Sequence, residues 1–268
     1  MPSGVHEQAR CHGTKGLGKG FPTCHADSMK PKGEYGFDAP YVPALMLLGS
    51  VPLWFGAVRA AMHGDALGVA MMGASATFLV FCAGTFIFTT RTGKFVVWDE
   101  LLAELSLAGN ERVLDVGCGR GAVLLLAAKR LSSGRATGID LWQAKDQSGN
   151  ALEATQRNAV VEGVSERVDL HTGDMRRLPF GDATFDVIVS SLAIHNVPDA
   201  EGRAMAVREV ARVLKPGGRA LLADFKFTAD YAKTLEAAGL VEVRSRGLGV
   251  RFWYGGPWAA TRLVSARK

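Results

Sequence analysis

Three observations predict an α/β fold, a doubly wound and mostly parallel sheet preceded by an N-terminal helical hairpin. From Lys94 onward, short apolar runs of strand character alternate with amphipathic helical runs, the pattern of a parallel sheet covered on both faces. Within that series residues 113–121, VLDVGCGRG, read as a strand, a tight glycine turn and the start of a helix. Ahead of it lie two uncharged, mostly apolar runs, 41–58 and 66–88.

The elements follow in order. Residues 95–107 read as an amphipathic helix, 112–116 as a strand and 122–131 as a helix. A second strand is expected at 136–140, then a helix at 151–162 with Asn150 as its cap. Strands three and four fall at 168–171 and 186–190, and a helix at 201–214 ends in Lys215-Pro-Gly-Gly218. Strand five is 219–224, the next helix 230–238, and 241–246 with 261–266 close the chain as a β-hairpin. This divides the 268 residues into a flexible arm at 1–40, rich in Gly, Lys, His and Pro, a hairpin at 41–90 and a domain at 91–268.

About 20 apolar residues span a bilayer core, so the 23-residue run 66–88 is long enough. The first run is interrupted by Pro43, which suits a helix start, and by Pro52, which predicts a kink. Only residues 62–65 separate the runs, enough for a tight turn. A hairpin buried against a soluble domain would show one polar face, and neither run shows one, so a transmembrane hairpin through 41–88 is expected. Gly68, Gly73, Ala74, Ala76 and Gly84 would let its helices pack closely. Lys30 and Lys32 precede it and Arg91 and Lys94 follow, which puts both outer ends, and with them the domain at 91–268, in the cytoplasm. Arg59 opposes this and can snorkel. No apolar leader begins near Met1.

Formal net charge is +5 and mean hydropathy +0.10, the latter raised by residues 41–90. Beyond Arg176-Arg177 no basic stripe appears in 95–268, so nucleic acid is not an expected partner. The pairs Cys11-His12 and Cys24-His25 are too widely spaced for a zinc knuckle. Cys82 and Cys118 are not placed for a disulfide, no cluster of metal-binding acids is visible and no metal is expected.

In the glycine turn, Gly117, Gly119 and Gly121 permit close approach of a ligand, and the helix that follows offers free N–H groups to a carboxylate or phosphate. Asp140 ends the next strand 19 residues after Gly121, where an acid accepts from ribose hydroxyls. A nicotinamide cofactor predicts the same acid. Asp115 separates the two, since an acid before the first glycine suits a ligand ammonium better than a pyrophosphate. Thr172-Gly-Asp174-Met175, Leu178-Pro-Phe180, Phe185–Ser190 (FDVIVS), 208–214 (REVARVL) and Lys215-Pro-Gly-Gly218 complete the set.

This ordered set resembles the class I, Rossmann-like S-adenosylmethionine-dependent methyltransferases, especially the small-molecule branch with the ubiquinone and menaquinone biosynthesis enzymes. The resemblance covers about residues 95–268. It implies a seven-stranded sheet with an antiparallel last strand and S-adenosylmethionine across the carboxyl ends of the strands. Asp115 would then join the network around the cofactor's ammonium, with Gly117, Cys118 and Gly119 contacting its amino-acid part. Asp140 would hold the ribose and Leu141 pack on the adenine. Asp174 would accept from the adenine amino group beside the Met175 backbone, and Ser190 or Ser191 would face the methionine part and the reacting methyl.

A proton-accepting base is expected at His195, which follows strand four, with Asp224 at the end of strand five as second choice. Either a catalytic or a pocket-shaping role fits His195. Trp142, Trp253, Tyr254 and Trp258 are candidates for an acceptor pocket and equally for core. No Asn-Pro-Pro-Tyr follows strand four and only Cys118 lies in the domain, which disfavours adenine, glutamine and arsenite as acceptors. A small, lipophilic acceptor with an N, O or S nucleophile is expected, and a homodimer is left open. The rival readings are a nicotinamide-dependent oxidoreductase, whose Tyr-x-x-x-Lys pair is missing at Tyr231, and a non-catalytic membrane scaffold, for which three retained acids argue poorly.

Overall fold

The computed structural model describes residues 31–143 and 147–268. The two Cys-His pairs, Lys30 and most of the arm expected at 1–40 lie outside the described residues. Helix α1 (Tyr41–Met62) runs unbroken through Pro52, and α2 (Ala66–Phe88) packs against it. Asp65 caps α2, accepting from the N–H of Gly68 at 2.9 Å. Both helices are long and apolar enough to cross a membrane.

Where the sequence suggested a break near residue 90, the chain stays helical. A π-helical turn (Thr89–Gly93) joins α2 to α3 (Lys94–Glu104), one helical run of 39 residues. Gly93 is what allows this crossing, because a Cβ there would lie 1.9 Å from the carbonyl oxygen of Arg251.

The sheet has the order β3-β2-β1-β4-β5-β7-β6. Its strands are β1 (Arg112–Val116), β2 (Arg135–Asp140), β3 (Val168–Thr172), β4 (Phe185–Ser191), β5 (Leu214–Asp224), β6 (Val241–Gly247) and β7 (Arg262–Arg267). Strands β1 to β5 are parallel, and β7 runs antiparallel between β5 and β6. Helices α4 (Ala122–Lys129) and α5 (Leu152–Val161) follow β1 and β2; α6 (Ala200–Val213) and α7 (Thr228–Ala237) follow β4 and β5. Leu114, Val116, Ile188 and Leu222 join Val207 and Val210 of α6 and Leu235 of α7 in one core. Each such fully buried aliphatic side chain contributes about 1.5–3 kcal/mol. From β1 the chain builds outward to β3, then crosses back to β4 on the other side of β1. That reversal opens a crevice at the carboxyl ends of β1 and β4, where ligands settle in open α/β sheets.

Three local expectations are corrected. Asn150 does not cap α5; Ala151 occupies that position, and Asn150 Nδ2 donates to Asp140 at 3.3 Å. Strand β5 begins at Leu214 rather than 219, because Leu214 pairs with Phe185 and Gly217 N–H donates to the Lys268 carbonyl at 2.7 Å. Residues 31–40 are not a free arm. Gly33, Glu34 and Phe37 N–H groups donate to Glu162, Asn158 and Ser148, and Tyr35 O–H donates to Glu162, so the strap lies against α5 and the loop before it. Glu162 also pairs with Lys129 at 2.7 Å, which with these donors holds its carboxyl below the usual range.

Candidate active site

The glycine turn leaves β1 with Gly117, Gly119 and Gly121 all at positive φ, +75°, +50° and +86°. A Cβ on Gly117 would lie 2.2 Å from the Cβ of Ala193, so two strand-end loops meet with no side chain between them. Gly117→Ala is expected to cost at least about 1–3 kcal/mol from backbone strain alone. A denaturant midpoint unchanged from wild type would contradict this.

Asp115, the next-to-last residue of β1, is 1 % exposed and lines the cavity at the sheet edge. Burial pushes its carboxyl up to about 8, a shift that the Leu124 N–H partly offsets and nearby Asp140 reinforces. Its Oδ1 is buried without a hydrogen-bond partner. A buried acid with an idle oxygen beside a side-chain-free turn suits a ligand ammonium.

Asp140 ends β2. Its Oδ2 accepts from Gly119 N–H at 2.9 Å and its Oδ1 from Trp142 N–H at 2.6 Å. With Asn150 Nδ2 also donating to Oδ1, this fixes the carboxylate at the cavity wall and leaves one lone pair, on Oδ2, for a ligand hydroxyl. Leu141 beside it is 47 % exposed and lines the same cavity. Asp174 and Met175 also line it, but Asp174 is folded onto Arg176, whose Nε lies 2.9 Å away and whose charge lowers the carboxyl's pKa. The free donors expected at the start of α4 are partly taken: Arg120 N–H donates to Gln147 Oε1 at 3.0 Å. The serine alternative also divides. Ser190 is buried and its Oγ donates to the Val116 carbonyl at 2.8 Å, away from the cavity, whereas Ser191 lines it and accepts from Trp98 Nε1.

On the far side of the crevice, the 3₁₀ turn Ile194–Asn196 after β4 presents His195 to the cavity. Its Nδ1 lies 2.9 Å from Asp224 Oδ1, close but off the line of a good hydrogen bond, and its backbone N–H donates to Oδ2 at 3.2 Å. Asp224 is fully buried and also accepts from Phe225 N–H (2.8 Å) and Tyr231 O–H (3.1 Å). The buried acid thus lies behind the imidazole and, unlike His195, does not line the cavity. Phe225 packs edge-on against the ring at 4.7 Å.

Residues 113–218 match the family model of a methyltransferase domain. That match takes in the sheet from β1 to the first residues of β5, with the glycine turn, Asp140, Asp174 and His195 inside it. The chain is 36 % identical over 121 residues to a demethylmenaquinone methyltransferase of Lactiplantibacillus plantarum, covering 45 % of this chain and 47 % of that one. It is 36 % identical over 154 residues to a 27-O-demethylrifamycin SV methyltransferase of Amycolatopsis mediterranei, 57 % and 52 % of the two chains. It thus spans about half the length of the curated relatives it matches. Among solved structures, the cyclase SpnF aligns with a TM-score of 0.52 at 24 % identity over 63 % of this chain and 80 % of SpnF. The YcgJ protein of Bacillus subtilis aligns at 0.51 and 20 % identity, over 65 % and 98 %. These two similarities establish the fold, and a fold does not by itself fix a reaction.

The cavity, about 960 Å³, continues past His195 to a wall of which the sequence indicated only Tyr254. Asp38 of the strap, Lys94 of α3 and Tyr254 meet there. Asp38 Oδ2 accepts from Lys94 Nζ and Tyr254 O–H, both at 2.8 Å, and Oδ1 from Gln147 Nε2 at 3.0 Å. Tyr41 and Val42 of α1 and Phe86 of α2 complete this wall. Of the aromatic residues suggested by sequence, Tyr254 lines the cavity. Trp142 instead donates to Thr172 Oγ1.

Proposed function

We propose that the protein transfers a methyl group from S-adenosylmethionine to a small, lipophilic organic acceptor with an N, O or S nucleophile, at the surface of a membrane crossed by residues 41–88. The observation that carries this reading is the single cavity joining Asp115, His195 and the base of the hairpin. Asp115, with its idle oxygen, would hold the cofactor's ammonium, Gly117, Cys118 and Gly119 its amino-acid part through backbone, and Asp140 the ribose. Leu141 would cover the adenine, Asp174 and Met175 its polar edge, and Ser191 would face the reacting centre. When bound, S-adenosylmethionine supplies an electrophilic methyl on its sulfonium.

The remaining chemistry belongs to the chain. With Nδ1 beside Asp224, the free Nε2 of His195 takes the proton of an acceptor O–H, N–H or S–H, and the buried carboxylate stabilises the imidazolium. The wall of Tyr41, Val42 and Phe86 excludes water from the acceptor. The demethylmenaquinone and demethylrifamycin relatives support an organic acceptor. Lys32 before the hairpin and Arg91 and Lys94 after it support a cytoplasmic catalytic domain.

Incubating the full chain with methyl-labelled cofactor and a panel of phenols, thiols and amines tests the activity. Labelled product from an apolar member is expected, and no product from any member would overturn the acceptor class. The exposed apolar surface of α1 and α2, with Leu48, Phe55, Met71 and Phe81 all more than half exposed, predicts that the full chain needs detergent to stay dispersed. A monodisperse, detergent-free preparation would remove the membrane from the proposal.

A further inference from the structure

We propose that the loop 255–259 is a third lipid-contacting element, seated among the acyl chains of the leaflet facing the catalytic domain. The proposal rests on the reading that α1 and α2 cross a bilayer. Three contacts climb α2 in succession. At the base, Thr89 Oγ1 donates to the Trp253 carbonyl at 2.7 Å. Higher up, Gly255 packs where a Cβ would lie 3.0 Å from Met46 Cε of α1 and 3.8 Å from the Cys82 carbonyl oxygen. Highest, the rings of Trp258 and Phe78 lie 5.5 Å apart. The chain then returns, with Ala260 bridged to Trp253.

At about 1.5 Å per helical residue, Cys82 and Phe78 stand roughly 10 and 16 Å beyond Thr89 along α2. A bilayer's hydrocarbon core is about 30 Å thick, so a hairpin that crosses it carries Gly255 into the near leaflet and the Trp258 ring toward that leaflet's inner limit, close to the midplane. The loop's chemistry suits that depth. Residues 252–260, FWYGGPWAA, hold no charge between Arg251 and Arg262. Trp258 is 59 % exposed and Phe78 beside it 51 %, so their apolar surface is continuous with that of the hairpin. Lipid offers no partner to backbone donors, and those of Tyr254, Ala259 and Ala260 are met within the loop. Tyr254 N–H donates to the Ala259 carbonyl, Ala259 N–H to Gly256 and Ala260 N–H to Pro257, while Pro257 has no N–H. Tyr254 and Ala259, at the feet of the loop, line the cavity, which gives an apolar acceptor a route from the leaflet into the site.

The test is Trp fluorescence of the full chain in phosphatidylcholine vesicles with lipids brominated midway along their acyl chains. Subtracting the emission of Trp258→Phe from wild type isolates Trp258, and Trp54→Phe isolates Trp54 of α1. Both contributions are expected to lose most of their intensity relative to unbrominated vesicles, and Trp258 to resist quenching by aqueous iodide. Bromine quenching of Trp54 alone, with Trp258 open to iodide, overturns the proposal and leaves the hairpin standing. Quenching of neither removes the hairpin reading as well. Trp258→Tyr supplies a second difference should the phenylalanine variant fold poorly.

Discussion

Asp115→Asn is expected to weaken S-adenosylmethionine binding by about 30-fold to more than 1000-fold, the range for truncating one partner of a buried charge pair, while stabilising the ligand-free protein at alkaline pH. Both effects have one cause. The carboxyl is buried with an unpartnered oxygen, and its pKa stands near 8 against an ordinary 3.8. Between those values the folded chain holds a proton that the unfolded chain has released. Stability of the ligand-free protein therefore falls as pH rises from about 4 to about 8, then levels. Asparagine lacks that slope, so thermal melts of the variant should overtake wild type toward pH 8. Binding has the opposite sign, because an ammonium needs the ionised acid. Wild-type affinity should rise with pH by up to about tenfold per unit below 8. Calorimetry at pH 6, 7 and 8 checks it; a flat affinity profile, or an asparagine variant that binds normally, contradicts the role given to Asp115.

His195→Ala is expected to lower kcat by about 10²–10⁴, the usual contribution of a positioned general base, and to leave cofactor affinity unchanged. Asp224→Asn should lower kcat less, since the imidazole keeps Phe225 against it but loses the carboxylate 2.9 Å from Nδ1. Tyr231→Phe, which removes one donor to Asp224, should have a smaller effect still. That graded order distinguishes a base held by a buried acid from a histidine that only shapes the pocket. Equal small losses in all three variants, with a raised acceptor KM, would point to shape. Kinetics with any acceptor found by the panel measure the split between kcat and KM.

The gathering of three acids on one edge was legible because each lies within two residues of a strand's carboxyl end, and strand ends of a parallel sheet share one edge. Asp115, Asp140 and Asp174 follow from that rule without coordinates. Ser190 and Ser191 did not, because neighbouring strand residues point to opposite faces and a one-residue uncertainty at the strand end exchanges them. The wall built on Asp38 and Lys94 was illegible for another reason. Asp38 meets Lys94 and Tyr254 across 56 and 216 residues of chain, and no local pattern records such a meeting. Gln147, which closes over the glycine turn, carries no signal beyond an ordinary loop amide. The strap 31–40 read as flexible because it belongs to a run rich in Gly, Lys, His and Pro with no periodicity. Its order comes instead from backbone donors met by Glu162, Asn158 and Ser148. The continuous helix through residues 89–93 depends on Gly93 fitting against Arg251, a contact made only once the C-terminal segment has folded back.

Titration calorimetry of the detergent-dispersed full chain with S-adenosylmethionine, and in parallel with NADPH, tests the central claim most directly. Saturable one-to-one binding of S-adenosylmethionine and no heat with NADPH is the expected result. A folded chain that binds NADPH, or that gives no heat with S-adenosylmethionine at pH 8, would contradict it.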